Sequence, residues 1–290
     1  MAEYLALMQA EFPGFVLATS LVLGLLIGSF LNVVVYRLPI MLQRDWQLQA
    51  HEILSHPAPP SEPPFNLVVP HSRCPHCAHA IRAWENIPVL SYCLLRGKCS
   101  ACKSPISARY PLVEALTGIL TLVVVYYFGP TAAGLAACVL TWALVALALI
   151  DFDHQLLPDD ITLPMLWIGL VVNFFVVLCQ FDAAFWGAIA GYLVFWCVYQ
   201  VFKLITGREG MGYGDFKLLA MLGAWLGWQS LPLIIIFSSF AGALIGGTLI
   251  VLGRDKAIPI PFGPYLAIAG WIALVWGDTI TTSYLQFVMV

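Results

Sequence analysis

Two aspartates and four cysteines carry most of the chemistry this sequence can offer. Asp151 ends a long apolar run within IDFDHQLLPDD (150–160), and Asp215 opens another within MGYGDFKLLAML (211–222). Ionisable side chains at the edges of membrane-spanning runs are costly and mark functional sites. The two are 64 residues apart in the chain, yet the alternation of spans predicts the same depth on the same face. Carboxylates held close cannot both ionise, so such a pair shares a proton. The ionised member takes a proton from water while the protonated member polarises a peptide carbonyl. That is aspartyl proteolysis, which needs neither a nucleophilic side chain nor a metal.

Glycines at 212 and 214 precede Asp215. Without Cβ they are expected to allow positive φ and the close approach of a substrate strand. The same segment, GREGMGYGD, also suits a plain interfacial turn, and a lone Gly-x-Gly is a weak signal. Asp153, Asp159 and Asp160 read as solvated loop or cap residues, and His154 as a loop residue. On a helix, Asp151 and Asp153 would point to different faces, so only one joins a site.

The cysteines form two pairs, Cys74-Pro-His-Cys77 and Cys99-Ser-Ala-Cys102, with 21 residues between them. Paired C-x-x-C knuckles at this separation are a structural zinc signature, the alternative being four unligated surface thiols. Four thiolates close a tetrahedron and leave no open position, so this zinc is expected to support folding and not catalysis. Cys93, His71, His76 and His79 lie near, but the paired spacing favours the four named. Cys138, Cys179 and Cys197 fall in apolar runs and read as packing residues. The sequence has no H-E-x-x-H, which removes the usual zinc-protease arrangement.

The elements that must position these residues are membrane helices. The chain is 61% hydrophobic and 10% charged, with a mean hydropathy of +0.88, whereas soluble domains carry about 25% charged residues. An all-α polytopic membrane protein is expected, with about eight spans near 14–36, 112–128, 132–150, 161–180, 185–204, 216–229, 232–252 and 262–280. The sixth is short. No Lys or Arg precedes Arg37, so the first run reads as a permanent span and not a cleaved signal.

Eight spans put all 13 basic residues on one face: Arg37 to Arg109, then Lys203, Arg208 and Lys217, then Arg254 and Lys256. The positive-inside rule makes that face the cytoplasm and puts both termini outside. Thiols there stay reduced. The chain then divides into a first span (1–37), a cytoplasmic loop with the tetracysteine module (38–110) and a membrane core (111–290). The proline run PAPPSEPP (57–64) reads as an extended tether within the loop.

Taken in order, GSFLNVVVYRLP (28–39), the two cysteine pairs, IDFDHQLLPD (150–159) and GYGD (212–215) resemble the type IV prepilin peptidases. The resemblance implies an inner-membrane aspartyl protease of the Gly-x-Gly-Asp kind. Such enzymes cut short basic leaders from type IV prepilins and type II secretion pseudopilins, after a glycine at the cytoplasmic membrane edge. The longer bacterial members then methylate the new N-terminal residue with S-adenosylmethionine. Carried over, the catalytic aspartates fall on Asp151 and Asp215. Asp151 is preferred to Asp153 because the family's first aspartate lies seven positions before the proline, here Pro158. The metal-binding cysteines fall on Cys74, Cys77, Cys99 and Cys102.

The expected partners are prepilins, pseudopilins and the lipid bilayer, with no nucleic acid. Glu209, Asp153, Asp159 and Asp160, with Asp151 and Asp215, are expected to form an acidic patch that offsets the basic face for a basic leader. No glycine-rich loop follows a soluble strand, so a Rossmann-type cofactor site is absent, and the sequence names no residue for the methyl donor. Three rivals remain. A proton- or ion-coupled transporter using Asp151 and Asp215 would want its carboxylates near mid-span. An assembly scaffold would need neither aspartate. A presenilin-like protease would cut inside a membrane helix, whereas interfacial depth favours the edge.

Overall fold

The structure, a computed structural model, describes residues 11–55, 63–253 and 260–288. The apolar runs become helices: α1 (Pro13–Ile53), α3 (Arg109–Phe128), α4 (Ala132–His154), α5 (Asp159–Phe174), α6 (Phe181–Thr206), α7 (Tyr213–Leu226), α8 (Leu231–Val251) and α9 (Gly263–Val288), with a short α2 (Leu90–Leu94) in the loop. Among the described residues there is no sheet, only two isolated bridges.

Among the described residues, six helices are long and apolar enough to cross a membrane. The other two, α5 with 16 residues and α7 with 14, reach only about 24 and 21 Å at 1.5 Å per residue, against a hydrocarbon core of about 30 Å. The expected eight spans therefore resolve into six of full length and two short helices at the fourth and sixth places. The short ones are bounded by local signals. Pro158 starts α5 with Asp159 and Asp160 in its first turn, where the helix dipole favours acids. Gly227, at φ +80°, ends α7.

The chain divides into two compact units near residue 126. In the N-terminal unit, α1 runs 41 residues, well past the expected end at 36 and through an internal Pro39. Arg37 would be costly inside this helix, but its guanidinium donates to the carbonyls of Asn66 at 2.8 Å and Pro70 at 2.5 Å. Backbone acceptors from the loop thus replace water around the charge. Helices α1 and α3 meet through small residues: a Cβ on Gly24 would lie 2.6 Å from Thr121 Oγ1, and one on Gly28 2.7 Å from Glu114 Cα. Most of the proline run (57–62), and both Arg254 and Lys256, lie outside the described residues.

In the C-terminal unit the short α7 is the core. Phe216, Leu218, Leu219, Met221, Leu222, Ala224 and Trp225 are fully buried. From Leu218 onward this helix is apolar all round, and such a segment belongs inside. Its neighbours come close because they present glycine. A Cβ on Gly169 of α5 would sit 2.5 Å from Trp225, one on Gly270 of α9 2.5 Å from Leu222, and one on Gly191 of α6 2.6 Å from the Leu219 carbonyl. Gly187 of α6 and Gly223 of α7 face each other so closely that a Cβ on either would strike the other's backbone. Large apolar side chains such as Trp167, Ile236 and Phe240 point outward, as a lipid-facing surface requires.

Candidate active site

Asp151 occupies the last turn of α4, whose only acids are Asp151 and Asp153. The helix stops at Gln155, whose left-handed backbone (φ 52°) returns its N–H to the Asp151 carbonyl at 2.8 Å. This stop leaves the Asp151 side chain buried, while Asp153 and His154 are exposed. Oδ2 of Asp151 accepts a hydrogen bond from the backbone N–H of Gly263 at 2.9 Å.

Asp215 is the third residue of α7, whose N-cap is Gly212. It is also buried, and its backbone N–H donates to the Gly212 carbonyl at 3.2 Å. Leu157 ties the corner together. A Cβ on Gly214 would lie 2.9 Å from its Cβ, and one on Gly263 would lie 3.1 Å from its Cδ2. One leucine thus packs on glycines beside both carboxylates.

The expected positive φ at the glycines is not found. Gly212 has φ −78°, and Gly214 is an ordinary helical residue absent from the left-handed positions. Only at Gly214 does the lack of a side chain matter for space. Gly214 makes room for Leu157, and Gly212 stands exposed, with only Asp215 Oδ2, 3.7 Å away, near where its Cβ would be.

The acidic patch is also altered. Lys203 holds Glu209 at 2.8 Å, and Lys217 holds both oxygens of Asp159 at 2.7 Å. Two of the acids counted on to attract a basic leader, Glu209 and Asp159, are therefore already matched by lysines. The Lys203 ammonium lies on Tyr199, which stacks against Tyr213 between the two glycines.

The sequence reading missed Gly263 and Leu157. A signal for the first was available: in PIPFGPY (259–265) a glycine followed by proline at the start of an apolar run marks a helix N-terminus.

The four cysteine sulfurs lie within 4.8 Å of one another. Sγ of Cys74 is 3.8 Å from that of Cys102, and Cys77 is 4.0 Å from Cys99. A tetrahedral metal with bonds of about 2.3 Å to sulfur needs edges of about 3.8 Å, so the residues fit. The two knuckles share one fold. In each, the first cysteine accepts from the residue four positions on, Ala78 and Lys103, both with left-handed backbones. Backbone N–H groups of Cys77 and His76 pull the Cys74 thiol down to about 6, and Ser104 lowers Cys102. Both favour the thiolate, the form that binds metal. With no sheet among the described residues, no strand–loop–helix cradle for a nucleotide-like cofactor is present there.

Comparison with known proteins agrees with this geometry. Residues 22–128 match the Bacterial Peptidase A24 N-terminal domain, and residues 138–247, which contain both aspartates, match the Type IV leader peptidase family. Proteins named prepilin leader peptidase/N-methyltransferase are similar over most of their length. The one from Stutzerimonas stutzeri is 61% identical across 92% of this chain and 93% of its own. Those from Pseudomonas aeruginosa (58%, covering 94% of each) and Aeromonas hydrophila (57%, covering 90% and 91%) are comparable. No solved structure matches the chain. With both segments matched in order and identity this high, the chain belongs to the type IV leader peptidase family.

Proposed function

We propose that this protein cleaves leader peptides from type IV prepilins and related pseudopilins and then N-methylates the new terminus. The observation that carries the reading is the burial of Asp151 and Asp215, at the end of one helix and the start of another, beside glycines that pack on the same Leu157. Carboxylates at helix ends suit a cut at the membrane edge and not a mid-membrane ion path. In this reading the pair activates one water, the ionised carboxylate taking its proton while the protonated one donates to the scissile carbonyl. Exposed backbone at Gly212 leaves room for an extended substrate beside them.

The tetracysteine module in residues 38–110 takes zinc, held by Cys74, Cys77, Cys99 and Cys102, as a structural ion. The methyl donor is S-adenosylmethionine, and no residue is assigned to it. The protein sits in the inner membrane of a bacterium, with its loop, module and aspartates on the cytoplasmic side and both termini periplasmic. The basic residues of the loop support that orientation.

The test uses the full chain in detergent with a prepilin, following leader release and a 14-Da gain by mass spectrometry. Asp151→Asn and Asp215→Asn should each abolish cleavage yet still methylate a pilin supplied without its leader. Cleavage surviving either substitution overturns the aspartyl mechanism.

A further inference from the structure

We infer that Gly263 is a positioning residue for Asp151, holding its carboxylate through a backbone N–H and the absence of a side chain. The inference rests on the aspartyl-protease reading above and deepens it. Gly263 lies beyond the segment matched to the leader peptidase family, 112 residues from Asp151, and opens α9. The first N–H groups of a helix have no acceptor within it. Here that orphan donor meets Asp151 Oδ2 at 2.9 Å. The next residue, Pro264, has no N–H, so this turn has one donor at that place.

Space makes the assignment specific to glycine. A Cβ at position 263 would stand 2.7 Å from Oδ2 and 3.1 Å from Cγ of Asp151, with Leu157 Cδ2 also at 3.1 Å. Any side chain would push the carboxylate off its bond. A main-chain donor at a buried helix start cannot rotate away as a side chain can. It therefore fixes the oxygen to within a fraction of an ångström, as a dyad sharing one proton requires.

The test compares Gly263→Ala with Gly247→Ala, a control on α8 where a Cβ meets nothing within 4 Å. Both are made in the full chain and assayed in detergent with a prepilin. The expected result is a fall of about 100-fold in cleavage kcat for Gly263→Ala, as for a catalytic group displaced by about 1 Å. Overpacking should lower the melting temperature by an amount comparable to that of Gly214→Ala, while KM stays near wild type, methylation of a leaderless pilin persists, and the pH profile of kcat moves. Gly247→Ala should match wild type.

Adding Leu157→Ala to Gly263→Ala relieves the leucine contact and keeps the test usable if the single variant folds poorly. Cleavage should stay low in that pair, because the clash with Asp151 remains. Cleavage within threefold of wild type in Gly263→Ala, its full recovery in the pair, or a parallel loss of cleavage, methylation and melting temperature in both variants overturns the inference. A wild-type chain that cuts no prepilin overturns the underlying reading instead.

Discussion

Lys217 Nζ lies 2.7 Å from both carboxylate oxygens of Asp159, joining the starts of the two short helices α5 and α7. Lys217 is two residues beyond Asp215, so this ion pair braces the turn that carries one of the two buried carboxylates. Both partners are partly exposed, at 28% and 52% of their side chains, and such a pair contributes about 1 kcal/mol or less to stability. Lys217→Met should therefore barely move the melting temperature while lowering cleavage several-fold. The exchange of Lys217→Asp with Asp159→Lys should recover part of the rate, measured on the same prepilin.

The same contact decides which acid greets a basic leader. Asp159 is committed to Lys217, whereas Asp160 is exposed beside it. Asp160→Asn should raise KM for leaders rich in Lys and Arg by more than Asp159→Asn does, with little change for a leader of neutral composition. Equal effects would mean the lysine does not screen its partner.

Gly214 and Leu157 should behave as one unit. The methyl of Gly214→Ala would meet Leu157 Cβ at 2.9 Å, and overpacking of this kind costs about 1–3 kcal/mol. In a double-mutant cycle read by thermal unfolding, Leu157→Ala should offset part of that loss, giving coupling of at least about 0.5 kcal/mol. Strict additivity would place the strain elsewhere.

Glu209 gives the loop before Asp215 a pH dependence of known sign. The hydrogen bond from Lys203, and then that of Tyr199, hold its carboxyl below the usual glutamate range. A lowered folded value means the tie is fully present above the ordinary value of about 4.3 and is lost as pH falls through the lowered one. Protease cutting within 207–212 should stay constant from pH 8 to 5 and rise only in more acidic buffer. Glu209→Gln should be cut readily at neutral pH and show no such rise.

The cysteine module should hold about one zinc per chain, as a closed four-thiolate site requires. Metal analysis should find it lost in Cys99→Ser and after strong chelation. Residues 72–105 should then become open to protease, since so small a module has little core without its ion.

Much of this architecture was legible because its signals are local. A carboxylate ending an apolar run and two cysteine knuckles are each readable within a dozen residues, and the helical runs need only hydropathy. What escaped depends on partners far along the chain. Helix α1 passes its expected end because Arg37 finds carbonyls 29 and 33 residues away. The Gly263 donor meets an acceptor 112 residues earlier. The glycines before Asp215 pointed to backbone freedom, but composition cannot separate a need for positive φ from a need for room. Gly214 against Leu157 shows the second, while Gly212, at φ −78° and in open space, shows neither.

The glycine contacts between α6 and α7 carry a mechanical consequence. Where Gly187 meets Gly223, and Gly191 meets Leu219, main chain rests on main chain with no side chain between to act as a bearing. These two helices cannot slide or rock without prising apart, so the pair moves as a single beam with Asp215 fixed at its end. Any yielding that admits a polypeptide beside Asp215 must come from elements other than this pair.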